Sequence, residues 1–110
     1  METDMNIAVY CGSASGNRPS FTEGAKALGS WIAQNGHTLV YGGSRTGLMG
    51  AVADAVLAGG GKVIGVIPDV KLIQERRHPG LTECIETKDM AERKQKMIEL
   101  ADAYVALPGG

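Results

Sequence analysis

The chain has 110 residues, 44% of them apolar and 21% charged, with a net charge of −1. That balance fits one folded domain with a modest core and excludes a general nucleic-acid or membrane-surface binder. No stretch reaches the length of an apolar membrane span, and the acidic start Met1-Glu2-Thr3-Asp4 lacks the basic residues that open a signal peptide. Cys11 and Cys84 both fall in apolar, strand-like runs. Buried reduced thiols in a cytoplasmic protein are therefore expected, rather than a disulfide or a metal pair.

In chain order, residues 6–11 read as a buried first strand, ending in the small-residue loop Gly12-Ser13-Ala14-Ser15-Gly16. Ser20 and Glu23 have capping-box spacing, and Phe21, Ala25, Leu28 and Ile32 then recur at helical spacing. Asn35-Gly36 stops that helix. Residues 38–41 form the second strand, and His37 before it reads as a surface turn residue. Gly42 to Gly47 follow, and a helix runs from about 47 to 58. Asp54 is the only charge in that helix, so it should be buried on more than one side, with a dimer interface as a natural second cover. Gly59-Gly60-Gly61 ends it.

Residues 62–67 make the third strand, closed by Pro68-Asp69. Residues 70–80 are polar and predicted to be exposed, with the role of His78 open. Residues 83–87 form a short fourth strand. Asp89 and Glu92 repeat the capping pattern ahead of a helix to about Ala101. Spacing puts Met90, Lys94, Met97, Ile98 and Ala101 on one face of it. The last strand is 103–107, before Pro108-Gly109-Gly110. Strands alternating with helices predict an α/β fold, an open parallel sheet with helices on both faces. The glycine loops after 11, 41 and 107 all leave carboxyl ends of strands, the edge where such sheets bind ligands.

The stretch Tyr41-Gly42-Gly43-Ser44-Arg45-Thr46-Gly47-Leu48-Met49-Gly50 links a strand to a helix through glycines, a usual way to bring backbone N–H groups to a phosphate. The same glycines would also serve a plain tight turn. No Gly-Lys-Ser/Thr is present, so this is not a Walker A loop. The spacing of Gly12 and Gly16, and a second strand without a terminal acid, argue against a nicotinamide or flavin dinucleotide. No His or Cys pair has metal-ligand spacing, so no metal is expected. Arg93 falls in the first turn of its helix, near the carboxyl edge. It could grip a phosphate or steady charge at a reacting centre. Lys94 could turn inward along its stem or add a second cation. Arg45 could touch a ligand or face solvent.

Four segments run in register along nearly the whole chain: Cys11-Gly12-Ser13 with Ser15-Gly16; Tyr41-Gly42-Gly43 with Gly47-Leu48-Met49-Gly50; Met90-x-x-Arg93-Lys94-x-x-Met97; and Leu107-Pro108-Gly109-Gly110. Together they resemble the LONELY GUY family of cytokinin riboside 5′-monophosphate phosphoribohydrolases, also labelled lysine decarboxylases. The resemblance implies a Rossmann-like fold, a homodimer, no cofactor, and hydrolysis of the N-glycosidic bond of a nucleoside 5′-monophosphate to a free base and ribose 5-phosphate. It gives Arg93 the part of the catalytic arginine. The substrate-facing set becomes Gly12, Ser13, Gly42, Gly43, Met90, Arg93, Lys94, Pro108, Gly109 and Gly110. The lysine decarboxylase label finds no lysine singled out for a Schiff base.

The family motif is Pro-Gly-Gly-x-Gly-Thr-x-x-Glu, and this sequence carries its first three residues. The 110 residues are thus expected to be a single nucleotide-binding domain that is the N-terminal part of a longer family domain, with little or no hydrolysis alone. A carrier of a nucleotide or molybdenum cofactor, binding without cleavage, is the alternative. A structural domain built on the apolar 47–58 helix is a third.

Overall fold

The computed structural model describes residues 4–10 and 19–107. Five strands alternate with four helices: β1 (Asn6–Tyr10), α1 (Pro19–Gln34), β2 (Thr38–Tyr41), α2 (Gly47–Ala58), β3 (Lys62–Pro68), α3 (Lys71–Glu75), β4 (Glu83–Thr87), α4 (Met90–Leu100) and β5 (Ala103–Ala106). All strand pairs are parallel, in the order β4-β3-β2-β1-β5. The chain steps outward from β1 to β4, then crosses back to place β5 on the other side of β1. The order therefore reverses at the β1–β5 boundary, where ligand crevices form in open α/β sheets.

Each strand sends alternate side chains to opposite faces, and both faces are apolar. Ile7 and Val9 of β1, Leu39 and Tyr41 of β2 and Val63 of β3 pack with Ala25 and Ile32 of α1 and Val52 and Val56 of α2. Ala8, Val40 and Val66 meet Met97 of α4 on the other face, with Leu100 and Ala101 partly buried beside them. Helices thus cover both faces, as alternation predicts.

Helix α1 begins at Pro19, so Ser20 lies inside the first turn rather than capping it; proline's fixed φ suits that first position. It ends at Gln34, and Gly36, with a φ of +73°, turns the chain into β2. Helix α2 buries Leu48, Gly50, Val52, Ala53 and Val56. Helix α1 packs across it within the chain. At the crossing Gly29 leaves no room for a side chain, since a Cβ would lie 2.5 Å from Val52 O and 2.7 Å from Ala55 Cβ.

Two other readings need correction. His37 is buried, not a surface turn: Nδ1 accepts the Met5 N–H at 3.1 Å, and its ring lies against Trp31. On α4, Arg93, Met97 and Leu100 turn toward the sheet, while Ile98 and Met90 are 43% and 50% exposed. The 70–80 segment holds the short helix α3 and is mostly exposed, but His78 within it is buried. Cys84 is a free, half-buried thiol; Cys11 lies outside the described residues.

Candidate functional site

A cleft of about 590 Å³ opens at the carboxyl edge of the sheet. Val9 and Tyr10 at the end of β1 form its floor, with Leu48, Met49 and Met97. Gly42, Ser44 and Thr46 supply one wall, Ile73 and Arg76 another, and Met90, Arg93 and Lys94 the third. Three cations line it, and no carboxylate does among the described residues. Such a lining can accept an anionic ligand with an apolar portion.

Arg93 is the anchored member. Its Nε–H donates to Val66 O at 3.0 Å and its Nη2–H to Gly42 O at 2.8 Å. Nη1 points to Met90 Sδ at 3.8 Å, toward the cleft. Burial lowers its pKa, yet a guanidinium remains a cation, with donors left over for a ligand. The helix start that carries it is capped by side chains. Asp89 Oδ1 accepts the Glu92 N–H at 2.9 Å, and Glu92 Oε1 accepts the Lys88 N–H at 3.0 Å. These two carboxylates offset the helix dipole that would otherwise oppose a cation in the first turn.

The glycines of the β2–α2 loop serve this arrangement. A Cβ on Gly42 would overlap the Arg93 guanidinium. Gly43 has φ +87°, and a Cβ there would sit 2.7 Å from Ile67 Cγ1. The close approach expected at this loop is therefore made by the protein's own arginine and isoleucine. The loop is rigid for local reasons. Tyr41 Oη donates to Ser44 O at 2.7 Å, and Ser44 Oγ accepts the Thr46 N–H at 3.0 Å. Burial, reinforced by the charge of Asp54, pushes the Tyr41 phenol well above its ordinary pKa, so it stays a neutral donor.

Of the residues expected at the site, Gly42, Met90, Arg93 and Lys94 line one cleft, and Gly43 is buried beside it. Gly12, Ser13, Pro108, Gly109 and Gly110 lie outside the described residues. The strand ends that lead to them are neighbours, since the Leu107 N–H donates to Tyr10 O at 2.8 Å. Arg45 turns away from the cleft, its Nη1 donating to Glu75 O at 2.7 Å; it borders a shallow groove with Lys26, Ser30 and Asp54. Sequence reading missed Arg76 and Ile73; Ser44 and Thr46 fell within the glycine loop it singled out but were not assigned to the site. The available signal was topological: α3 follows β3 and must leave the same carboxyl edge.

The chain is thus an open parallel α/β protein with a cationic cleft at its topological switch point. The family model described as "Possible lysine decarboxylase" matches residues 49–110, and the chain belongs to that family. It is 46% identical over 109 residues to the cytokinin riboside 5′-monophosphate phosphoribohydrolase of Rhodococcoides fascians, covering 98% of this chain and 55% of that protein. It is 45% identical to LOG7 of Arabidopsis thaliana, which bears the same enzyme name, over 94% of this chain and 48% of that one. The expected LONELY GUY resemblance is met by relatives of that name, and the chain spans about half the length of the curated relatives it matches. Among solved structures, a protein named TM1055 matches with a TM-score of 0.78 and 28% identity, over 94% of this chain and 61% of that one. The molybdenum cofactor binding protein of Rippkaea orientalis matches at 0.83, over 100% and 66%; at 22% identity that likeness concerns the fold alone.

Proposed function

We propose that the whole protein hydrolyses the N-glycosidic bond of a nucleoside 5′-monophosphate, releasing the base and ribose 5-phosphate. The observation that carries this reading is the anchored Arg93 beside Lys94 and Arg76 in a cleft where none of the described lining residues is a carboxylate. Such a cleft suits a phosphate, and its apolar lining suits a base. Arg93 and Lys94 hold the 5′-phosphate or the leaving group, with Met90 and Gly42 shaping the cleft around them. Gly12, Ser13, Gly109 and Gly110 contribute backbone N–H groups, with Pro108 shaping the turn that presents the last two.

Cleavage builds oxocarbenium character at C1′, which needs a nearby carboxylate to stabilise it and orient water. We assign that part to the glutamate of the Pro-Gly-Gly-x-Gly-Thr-x-x-Glu motif, since the described cleft offers none. A nucleotide-binding domain, a homodimer and a cytoplasmic location belong to the same reading. The dimer draws support from the resemblance and from the small-residue groove between α1 and α2.

The test is chromatography of the whole protein incubated with AMP and with an N6-substituted adenosine 5′-monophosphate. Free base and ribose 5-phosphate in equal amounts are expected from at least one. Saturable binding of both without any base release would favour the carrier instead.

A further inference from the structure

We infer that His78, with Asp54, positions the Ile73–Arg76 wall of the cleft; this rests on the phosphoribohydrolase reading above. His78 is buried, 8% exposed, on a segment otherwise open to solvent. Its Nδ1 accepts the Gly80 N–H at 2.9 Å, so the ring proton sits on Nε2 and is donated to Asp54 Oδ1 at 2.6 Å. Asp54 is the one charged residue of α2, a helix whose other side chains are apolar or absent. The imidazole therefore ties the 70–80 segment to a rigid element by a single directed bond.

The backbone around it is zipped to the β2–α2 loop. The His78 N–H donates to Gly43 O at 2.7 Å, the Arg45 N–H donates to Arg76 O at 2.9 Å, and Ser44 bridges Arg77. Helix α3 has five residues and buries none of them, so its own packing does not hold it in place. Arg76 and Ile73 reach the cleft because this seam fixes their backbone, and the His78–Asp54 bond closes the end of the seam. Displacing that wall removes a cation from the substrate side without touching Arg93 or Lys94. The effect belongs on substrate binding.

Three variants of the whole protein separate the bonds. His78→Asn keeps an acceptor near Nδ1 and loses the link to Asp54. His78→Gln keeps a donor toward Asp54. Asp54→Ala, on an exposed position, breaks the same bond without altering His78. KM for the nucleoside monophosphate is expected to rise roughly tenfold in His78→Asn and Asp54→Ala, with kcat within about twofold of wild type. His78→Gln should restore most of the loss. Limited trypsin digestion provides an arm independent of turnover: cleavage after Arg76 and Arg77 should be faster in the first two variants than in wild type and His78→Gln. Wild-type KM and wild-type cleavage rates in Asp54→Ala would overturn the inference. A wild type that cleaves no nucleotide would instead overturn the hydrolase reading, leaving digestion to judge the seam.

Discussion

The position of one guanidinium depends on a missing side chain. Arg93 reaches across from α4 to the carbonyls of Gly42 and Val66, and the space it fills is the space a Cβ on Gly42 would take. Gly42→Ala should push the guanidinium off both carbonyls. We expect kcat/KM for AMP to fall by at least roughly tenfold while circular dichroism shows the fold kept; an unchanged kcat/KM would separate Gly42 from Arg93. Tyr41 gives a second test at this scale. Its phenol is raised by burial and by Asp54, so the folded state favours the protonated form. The stability it contributes is held below the ordinary phenol pKa of about 10 and declines as pH climbs above that value. Tyr41→Phe should cost about 1 kcal/mol at neutral pH, through the lost bond to Ser44 O, and should lessen the alkaline fall. Urea unfolding of both proteins at several pH values reads this directly. Sequence reading marked Gly42 and Gly43 as places of close approach. It could not tell that the approaching group was Arg93, which lies 51 positions away. His37 was misread for a similar reason: its burial comes from Met5 and Trp31, which no local pattern around it announces.

Elements were more legible than contacts. The bounds of β2, α2 and β4 follow the sequence closely because glycines, caps and apolar runs fall where the chain turns. The orientation of α4 did not follow. Spacing allowed a face of Met90, Lys94 and Ile98, but the sheet receives Arg93, Met97 and Leu100, because the arginine satisfies two strand-end carbonyls. The apolar character of α2 was read correctly, and the cover that the chain itself provides, α1, left no mark in the local pattern. Helix α1 packs against it closely because Gly29 presents no Cβ. Gly29→Val should force the two helices apart and destabilise by about 1–3 kcal/mol, measured by denaturant midpoint. A neutral substitution there would mean that α1 and α2 do not pack this tightly. The polar character of 70–80 hid both α3 and the buried His78, since a segment held by hydrogen bonds to another loop leaves no periodic trace.

For the molecule as a whole, strand alternation implied the parallel sheet, while the order of its strands came only from pairing. The reversal between β1 and β5 explains why segments distant in sequence line one cleft. The end of β1, the β2–α2 loop, the residues after β3 and the first turn of α4 all leave the same edge. That edge gathers Arg76, Arg93 and Lys94, and we propose that it binds the phosphate of a ribose 5-phosphate group. Calorimetric titration of the whole protein and its Arg93→Ala variant with ribose 5-phosphate tests it most directly, because the ligand cannot be turned over. Saturable binding by wild type, weakened at least roughly tenfold in the variant, is the expected result. Equal affinity in the two proteins, with the variant folded, would mean that Arg93 does not hold the phosphate.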